Sequence, residues 1–136
     1  MPFAPSSHRW KACGAAGLLV ASATVAGAIW NRQQQSEVLA RALVGGDPAR
    51  APPILRRYGC AGCHTIPGIP GADGQVGGAL SGIKHRVYVG GVALNSPDNL
   101  VRWIVAPQAL SPRSAMPATG ISDAEARDVV AYLYSR

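Results

Sequence analysis

The sequence predicts an all-α fold in which about three helices and long loops follow an apolar N-terminal helix. The chain has 136 residues, enough for one domain and a tail. Residues 12–30 carry no charged side chain, and residues 65–94 are rich in Gly and Pro, which is typical of loops. Helix-start signals occur between residues 47 and 136, and they place the remaining helices there.

The apolar segment, residues 12–30, has the length of a membrane span. Its 19 residues would extend ~28 Å as a helix, close to the ~30 Å hydrocarbon layer. Residues 1–11 carry Arg9 and Lys11 and no acidic residue, which predicts a cytoplasmic N-terminus and an exported C-terminal part. Trp30 stands where an interfacial aromatic residue is expected. We therefore predict a transmembrane anchor that contacts membrane lipid through residues 12–30.

A cleaved signal peptide is the alternative for the same segment. The small-residue triplets at residues 21–23 (ASA) and 26–28 (AGA) both fit a cleavage site. The apolar run is longer than the usual core of a signal peptide, which favours the anchor. Both interpretations place the C-terminal part of the chain outside the cytoplasm.

Residues 31–46 are predicted to form a stalk between the apolar segment and the domain at residues 47–136. Residues 31–44 contain good helix formers and neither Pro nor Gly. Gly45 and Gly46 then end the helix and provide a hinge.

Three helices are predicted within the domain. The prolines of residues 47–53 favour a short helix at residues 53–58 over one that begins earlier. A Ser-Pro pair opens a second helix at residues 96–106. Ser122 and Glu125 form a capping box that begins a third helix, which continues to the C-terminus.

The basic composition does not indicate a nucleic-acid partner. The net charge is +6, from 13 Lys and Arg against 7 Asp and Glu. These charges are scattered, with no long basic run and no interleaved aromatic residues, so no nucleic-acid interface is predicted. An apolar content of 48% argues against disorder, and no glycine motif of a nucleotide-binding site is present.

One motif carries chemistry. Residues 60–64 read Cys-Ala-Gly-Cys-His, the C-x-x-C-H pattern of covalent haem attachment. Two thiols at this spacing can add to the two vinyl groups of one haem, and His64 can then ligate the iron as a neutral imidazole. The domain has few large apolar residues for a core, and a covalently held haem would fill its interior.

Two other interpretations of the motif are weaker. A redox-active dithiol belongs in a βαβ fold, and no alternation of strands and helices is predicted. A structural zinc site needs a second pair of ligands, but Cys13 lies in the apolar segment and His85 stands alone. The motif therefore favours haem.

A second axial ligand to the haem iron must come from elsewhere in the chain. Met116 precedes a proline in a predicted loop between two helices, where a thioether could reach the open haem face. His85 is the rival, but it follows Lys84 in a basic stretch that is expected to be exposed. Met1 and His8 precede the apolar segment and so fall on its wrong side. Met116 is the predicted ligand.

With these motifs the chain resembles the class I c-type cytochromes. It is most similar to the monohaem domain fused to subunit II of some bacterial cytochrome c oxidases and to the small membrane-anchored relatives of that domain. The resemblance covers residues 47–136 and implies one covalent haem c surrounded by about three helices. It rests on four segments, residues 56–60 (RRYGC), 95–104 (NSPDNLVRWI), 107–108 (PQ) and 115–117 (AMP).

The resemblance implies a role for each candidate site residue. Cys60 and Cys63 match the thioether positions, His64 the proximal ligand of the iron and Met116 the distal ligand. Trp103 matches a tryptophan that packs against the haem near a propionate.

Two further residues are candidates for the haem environment. Tyr88 could donate a hydrogen bond to a propionate. The family usually has Gly-Pro after the haem loop, and the proline carbonyl accepts the proton of the proximal histidine. Here Gly77 is followed by Gly78, whose carbonyl can make the same bond but is held less rigidly, because glycine does not fix φ.

A haem with His and Met as axial ligands has no open coordination site, and the thioether favours ferrous iron. The chain is therefore predicted to be an electron carrier and not an enzyme. The resemblance implies a carrier in the bacterial inner membrane, with its haem domain in the periplasm, that passes single electrons to or within a terminal haem-copper oxidase of a respiratory chain.

The expected partners are redox proteins, namely the terminal oxidase, a quinol-oxidising complex or a dehydrogenase. An electron-accepting subunit of a periplasmic dehydrogenase is the alternative function. A haem peroxidase or a gas sensor is less favoured.

Overall fold

A computed structural model describes the backbone of residues 7–136 and the side chains of residues 20–136. The described part of the chain forms two compact units, one that ends at Gln34 and one at residues 35–136. Most of the fold, and the whole candidate site, belongs to the second unit.

The first helix, α1, spans Ser7–Val44. In the first unit its large apolar side chains from residue 20 onwards are exposed, among them Trp30. Among the described residues, no helix is both long enough and apolar enough to span a bilayer. Met1, the His8 side chain and the side chains of residues 12–19 of the predicted anchor lie outside the described part of the chain.

The second unit is predominantly helical, as predicted, and it also contains a small hairpin. Three 3-10 turns, Pro48–Arg50, Cys60–Gly62 and Ile83–His85, join its elements. In the hairpin Tyr88 pairs with Leu94, and Val89 with Ala93. The elements are α2 (Ala51–Arg57), β1 (Tyr88–Val89), β2 (Ala93–Leu94), α3 (Pro97–Val105), α4 (Pro107–Leu110) and α5 (Asp123–Tyr134).

The helix starts follow local signals in the sequence. α2 begins at Ala51, two residues before the predicted start, because the prolines that follow occupy the first turn, where no amide proton is needed. The Ser96 side chain caps α3 by accepting a hydrogen bond from the Asn99 amide at 3.2 Å. The predicted capping box of Ser122 and Glu125 is present at the start of α5.

α5 forms the centre of the second unit and packs against α2 and α3. Most of the largest fully buried side chains come from these three helices: Leu55, Val101, Val130, Tyr132 and Leu133. The Tyr132 hydroxyl donates a hydrogen bond of 2.6 Å to the Pro67 carbonyl, which fastens the glycine-rich loop to α5. The loop therefore has a fixed path although it contains little regular structure.

The C-terminal end of α1 is part of this unit. Ala40 and Val44 are buried in its core, and Arg127 donates a hydrogen bond of 3.1 Å to the Val44 carbonyl. Gly46 lies so close to the Arg127 backbone that a Cβ atom there would overlap it. The sequence predicts a stalk and hinge at residues 31–46 and a domain boundary at residue 47, and the compact unit begins at Gln35. Local helix propensity did not indicate these long-range contacts.

A buried carboxylate ties α5 to the start of the domain. Asp128 is only 3% exposed, and it accepts hydrogen bonds from the Asp47 amide at 2.7 Å and from Arg50 at 3.0 Å. Arg50 itself is 65% exposed, so it would become hydrated if the carboxylate were removed. The stability that Asp128 contributes therefore comes mainly from the hydrogen bond to the Asp47 amide.

We expect Asp128→Ala to lower the free energy of unfolding by about 1–3 kcal/mol, because the Asp47 amide loses its partner. The matched control is Asp98→Ala, since Asp98 pairs with Arg127 at 3.2 Å but is 78% exposed. That exposed pair should contribute about 0.5 kcal/mol or less. Urea unfolding of both full-length variants measures the difference. Equal losses would contradict this account of Asp128.

Candidate functional site

A cavity of about 340 Å³ opens beside the C-x-x-C-H motif. Its volume is in the range of sites that bind small ligands and cofactors. His85, the alternative ligand, does not line it. All seven residues that the sequence predicts for the haem site line this cavity: Cys60, Cys63, His64, Gly78, Tyr88, Trp103 and Met116.

The two cysteines of the motif are presented by a tight turn. Cys60 opens the 3-10 turn, and its carbonyl accepts hydrogen bonds from the amides of Cys63 at 3.3 Å and His64 at 3.0 Å. Both cysteines are half-buried, and they form no disulfide with each other. Burial raises the pKa of the Cys60 thiol above its ordinary value. A catalytic dithiol needs a lowered pKa, so this environment disfavours the dithiol interpretation.

The imidazole of His64 is fixed by the segment that follows the glycine-rich loop. Its Nδ1 donates to the Gly78 carbonyl at 2.7 Å, which is the bond predicted from the sequence. With Nδ1 carrying the proton of the neutral ring, Nε2 has a free lone pair that can bind a metal ion. The Gly77 amide donates to the Cys63 carbonyl at 2.7 Å, and a Cβ atom at Gly77 would overlap the His64 ring. Only glycine leaves room for the imidazole at this position.

Arg86 is a cavity residue that the sequence analysis missed. Its guanidinium donates hydrogen bonds to the carbonyls of Ala79 and Ser81, and it also lines the cavity. Arg86 therefore braces the segment directly after Gly78 and places a positive charge at the cavity wall. A single arginine in a loop carries no signal in the sequence that could have identified it.

Met116 lies half-buried in another part of the cavity wall. Its amide donates to the Ser114 hydroxyl at 3.2 Å, and its carbonyl accepts a hydrogen bond from the Gln108 side chain at 2.7 Å. Both backbone polar groups of Met116 are therefore hydrogen-bonded, the amide to Ser114 in its own loop and the carbonyl to Gln108 in α4. Gln108 belongs to a segment used for the resemblance, but its contact with Met116 was not predicted.

Trp103 and Tyr88 complete the predicted set. Trp103 is half-buried on α3, and Gly90, with φ +56°, packs against its ring so closely that a Cβ atom would overlap it. Tyr88 is in β1 and is 57% exposed. Both residues line the cavity, as an environment for a haem edge requires.

A comparison with protein families agrees with this geometry. The family model of cytochrome c matches residues 54–136, more than half of the chain. The chain belongs to the cytochrome c family. No curated protein and no solved structure matches it. Membership implies a covalently bound haem c and a role in electron transfer, and the two cysteines of the family motif are present as Cys60 and Cys63.

The cavity of this cytochrome c fits a haem. Its wall is mainly apolar, it contains both thiols of the motif, and Gly77 leaves space for an imidazole whose Nε2 is free. The residues that could hold the group are Cys60 and Cys63 through their sulfur atoms, and His64 and Met116 as donors to iron.

A polar network joins the cavity to the start of α5. The Tyr58 hydroxyl, at the cavity wall, donates to the Glu125 carboxylate at 2.8 Å, and Arg57 pairs with the same carboxylate at 2.9 Å. The hydrogen bond to Glu125 raises the pKa of Tyr58 above its ordinary value. Hydrogen bonds from Ser122 and then from Tyr58 lower the pKa of Glu125.

The lowered pKa of Glu125 predicts a loss of stability in acid. A carboxyl group with a lowered folded-state pKa contributes stability that is fully present above its unfolded pKa of about 4.3 and is lost as the pH falls through the folded value. In Glu125→Gln this contribution is absent, so the free energy of unfolding should fall less steeply with decreasing pH than in the wild type. Urea unfolding of both proteins as a function of pH measures the two slopes. Equal slopes would contradict the stabilising role of the Glu125 carboxylate.

Proposed function

We propose that this cytochrome c carries single electrons between proteins through one haem held by Cys60, Cys63, His64 and Met116. The observation that carries the proposal is that one cavity wall contains both thiols, an imidazole with a free Nε2 and a thioether. The bound haem supplies reversible one-electron exchange at its iron. With His64 and Met116 both donating to the iron, no position on the iron would be left for a substrate.

The other cavity residues prepare the protein for this role. The Gly78 carbonyl holds the proton of His64 Nδ1 and so fixes the imidazole ring in one orientation and one tautomer. The mainly apolar wall would limit the access of water to a bound haem, which together with the thioether would favour the reduced state. Trp103 would pack against the haem near a propionate, and Tyr88 could donate a hydrogen bond to one.

We also propose that residues 12–30 tether the carrier to the bacterial inner membrane, with the haem domain in the periplasm. The uncharged segment after Arg9 and Lys11 supports the tether and its orientation, and the resemblance to oxidase-linked domains supports a haem-copper oxidase as the acceptor. A quinol-oxidising complex would then be the donor.

The electron-transfer proposal is tested by mixing the chemically reduced full-length protein with membranes that contain a haem-copper oxidase. We expect oxygen-dependent oxidation of the haem that cyanide abolishes. Oxidation that depends on added peroxide would instead indicate a peroxidase. Stable co-purification with a dehydrogenase whose substrate reduces the haem would favour the alternative partner.

The tether is tested separately by a high-salt wash of membranes isolated from cells that express the full chain. Retention in the membrane fraction with an N-terminus near Met1 supports the anchor. A soluble periplasmic protein that begins near Thr24 or Ile29 would show that the segment is a cleaved signal peptide.

A further inference from the structure

We propose that Gln108 is a positioning residue that holds Met116 at the haem cavity and keeps external ligands from the iron. The inference rests on the proposed role of Met116 as an axial ligand. It assigns a specific task to a polar side chain that does not itself line the cavity.

The first observation is the geometry of the amide. Gln108 Nε2 donates to the Met116 carbonyl at 2.7 Å and to the Ser114 carbonyl at 3.3 Å. Gln108 lies in α4, whose first residue, Pro107, is fully buried. The Ser111 amide donates to the Pro107 carbonyl at 2.9 Å and closes the turn. The amide of Gln108 therefore reaches the Met116 loop from an anchored base.

The second observation is that few hydrogen bonds hold this loop, although Ile121 is buried in the core and Met116 packs against it. Among the described residues, residues 115–121 take part in no backbone-to-backbone hydrogen bond. The hydrogen bonds of this segment are the one from Gln108 and the one that Met116 donates to Ser114. Pro117 follows Met116 and has no amide proton to offer. Within the described part of the chain, the Met116 backbone is thus hydrogen-bonded by two side chains, those of Ser114 and Gln108.

The hydrogen bond from Gln108 to the Met116 carbonyl affects the binding of external ligands. Displacement of the thioether by an external ligand would move the Met116 loop away from the cavity, and this movement would break the bond to Gln108. The bond would then stabilise only the arrangement with Met116 at the cavity, and a single hydrogen bond at a solvated surface corresponds to about a fivefold change in such an equilibrium. Its removal should increase the population with a free axial position about fivefold.

The test uses imidazole as an external ligand of the oxidised full-length protein. In Gln108→Ala we expect the imidazole affinity, from optical titration, to rise about fivefold, the equivalent of about 1 kcal/mol. Gln108→Glu keeps the size of the side chain but removes the donor, so its affinity should also rise. The matched control is Asn99→Ala, because the side-chain amide of Asn99 donates to the Leu94 carbonyl at 2.9 Å, away from the Met116 loop. Its affinity should equal that of the wild type.

An unchanged affinity in Gln108→Ala, or an equal rise in Asn99→Ala, would overturn the proposal. A residue that only stabilises the fold would lower the melting temperature without changing imidazole affinity. Failure of the ligand assignment gives a different result, because the imidazole affinity would then be unchanged in Met116→Ala as well.

Discussion

Met116→Ala should convert this carrier into a haem protein that binds carbon monoxide. Removal of the thioether leaves the axial position to water or an adventitious ligand, and the preference for ferrous iron is lost. The weak red charge-transfer band of the oxidised protein should vanish, and the reduced protein should bind carbon monoxide. Axial ligands set haem potentials over about 0.8 V, so we expect the potential to fall by an amount on the order of 0.1 V. Optical titration and potentiometry measure these changes.

His85→Ala is the control for this experiment. His85 does not line the cavity, so its removal should change neither the spectrum nor the potential. An unchanged spectrum in Met116→Ala together with a changed one in His85→Ala would reverse the ligand assignment to two histidines. The carrier would then have a low potential and a different partner.

Gly77→Ala should disrupt the proximal side of the haem. A Cβ atom at this position would overlap the ring of His64, and the glycine cannot move away freely because its amide is bonded to the Cys63 carbonyl. Overpacking of this kind costs about 1–3 kcal/mol. We expect a lower free energy of unfolding by this amount, and a fraction of haem whose iron has lost the imidazole. Chemical denaturation and the optical spectrum of the oxidised protein measure both effects.

Gly62→Ala is the matched control, because Gly62 lies within the motif but a Cβ atom there meets nothing within 4 Å. We expect it to fold and to show the wild-type spectrum. If the two alanine variants behaved alike, the close fit of Gly77 against His64 would not be a constraint on the site.

Local signals in the sequence were sufficient for the elements and side chains that depend on neighbouring residues. Ser122 and Glu125 define the start of α5 because a capping box acts over three residues. The motif at residues 60–64 indicates haem because its spacing alone creates the attachment geometry. The bond between His64 and Gly78 was also predicted, since the resemblance supplied the position of the carbonyl acceptor.

Features that depend on distant contacts could not be predicted in the same way. The end of α1 belongs to the domain because Val44 packs into the core and its carbonyl meets Arg127, a pairing across 83 residues. Arg86 and Gln108 act on carbonyl groups of loops, and no composition or periodicity reports such contacts. The four-residue helix α4 is too short to produce a periodic pattern.

Covalent attachment through Cys60 and Cys63 is the central claim of this account, and haem staining after denaturing electrophoresis tests it most directly. The full-length protein should give a stained band at its own mass that survives extraction with acidified acetone. The double variant Cys60→Ser, Cys63→Ser should give no stained band, because no thioether can form. Haem that leaves the wild-type protein in acidified acetone would contradict the account.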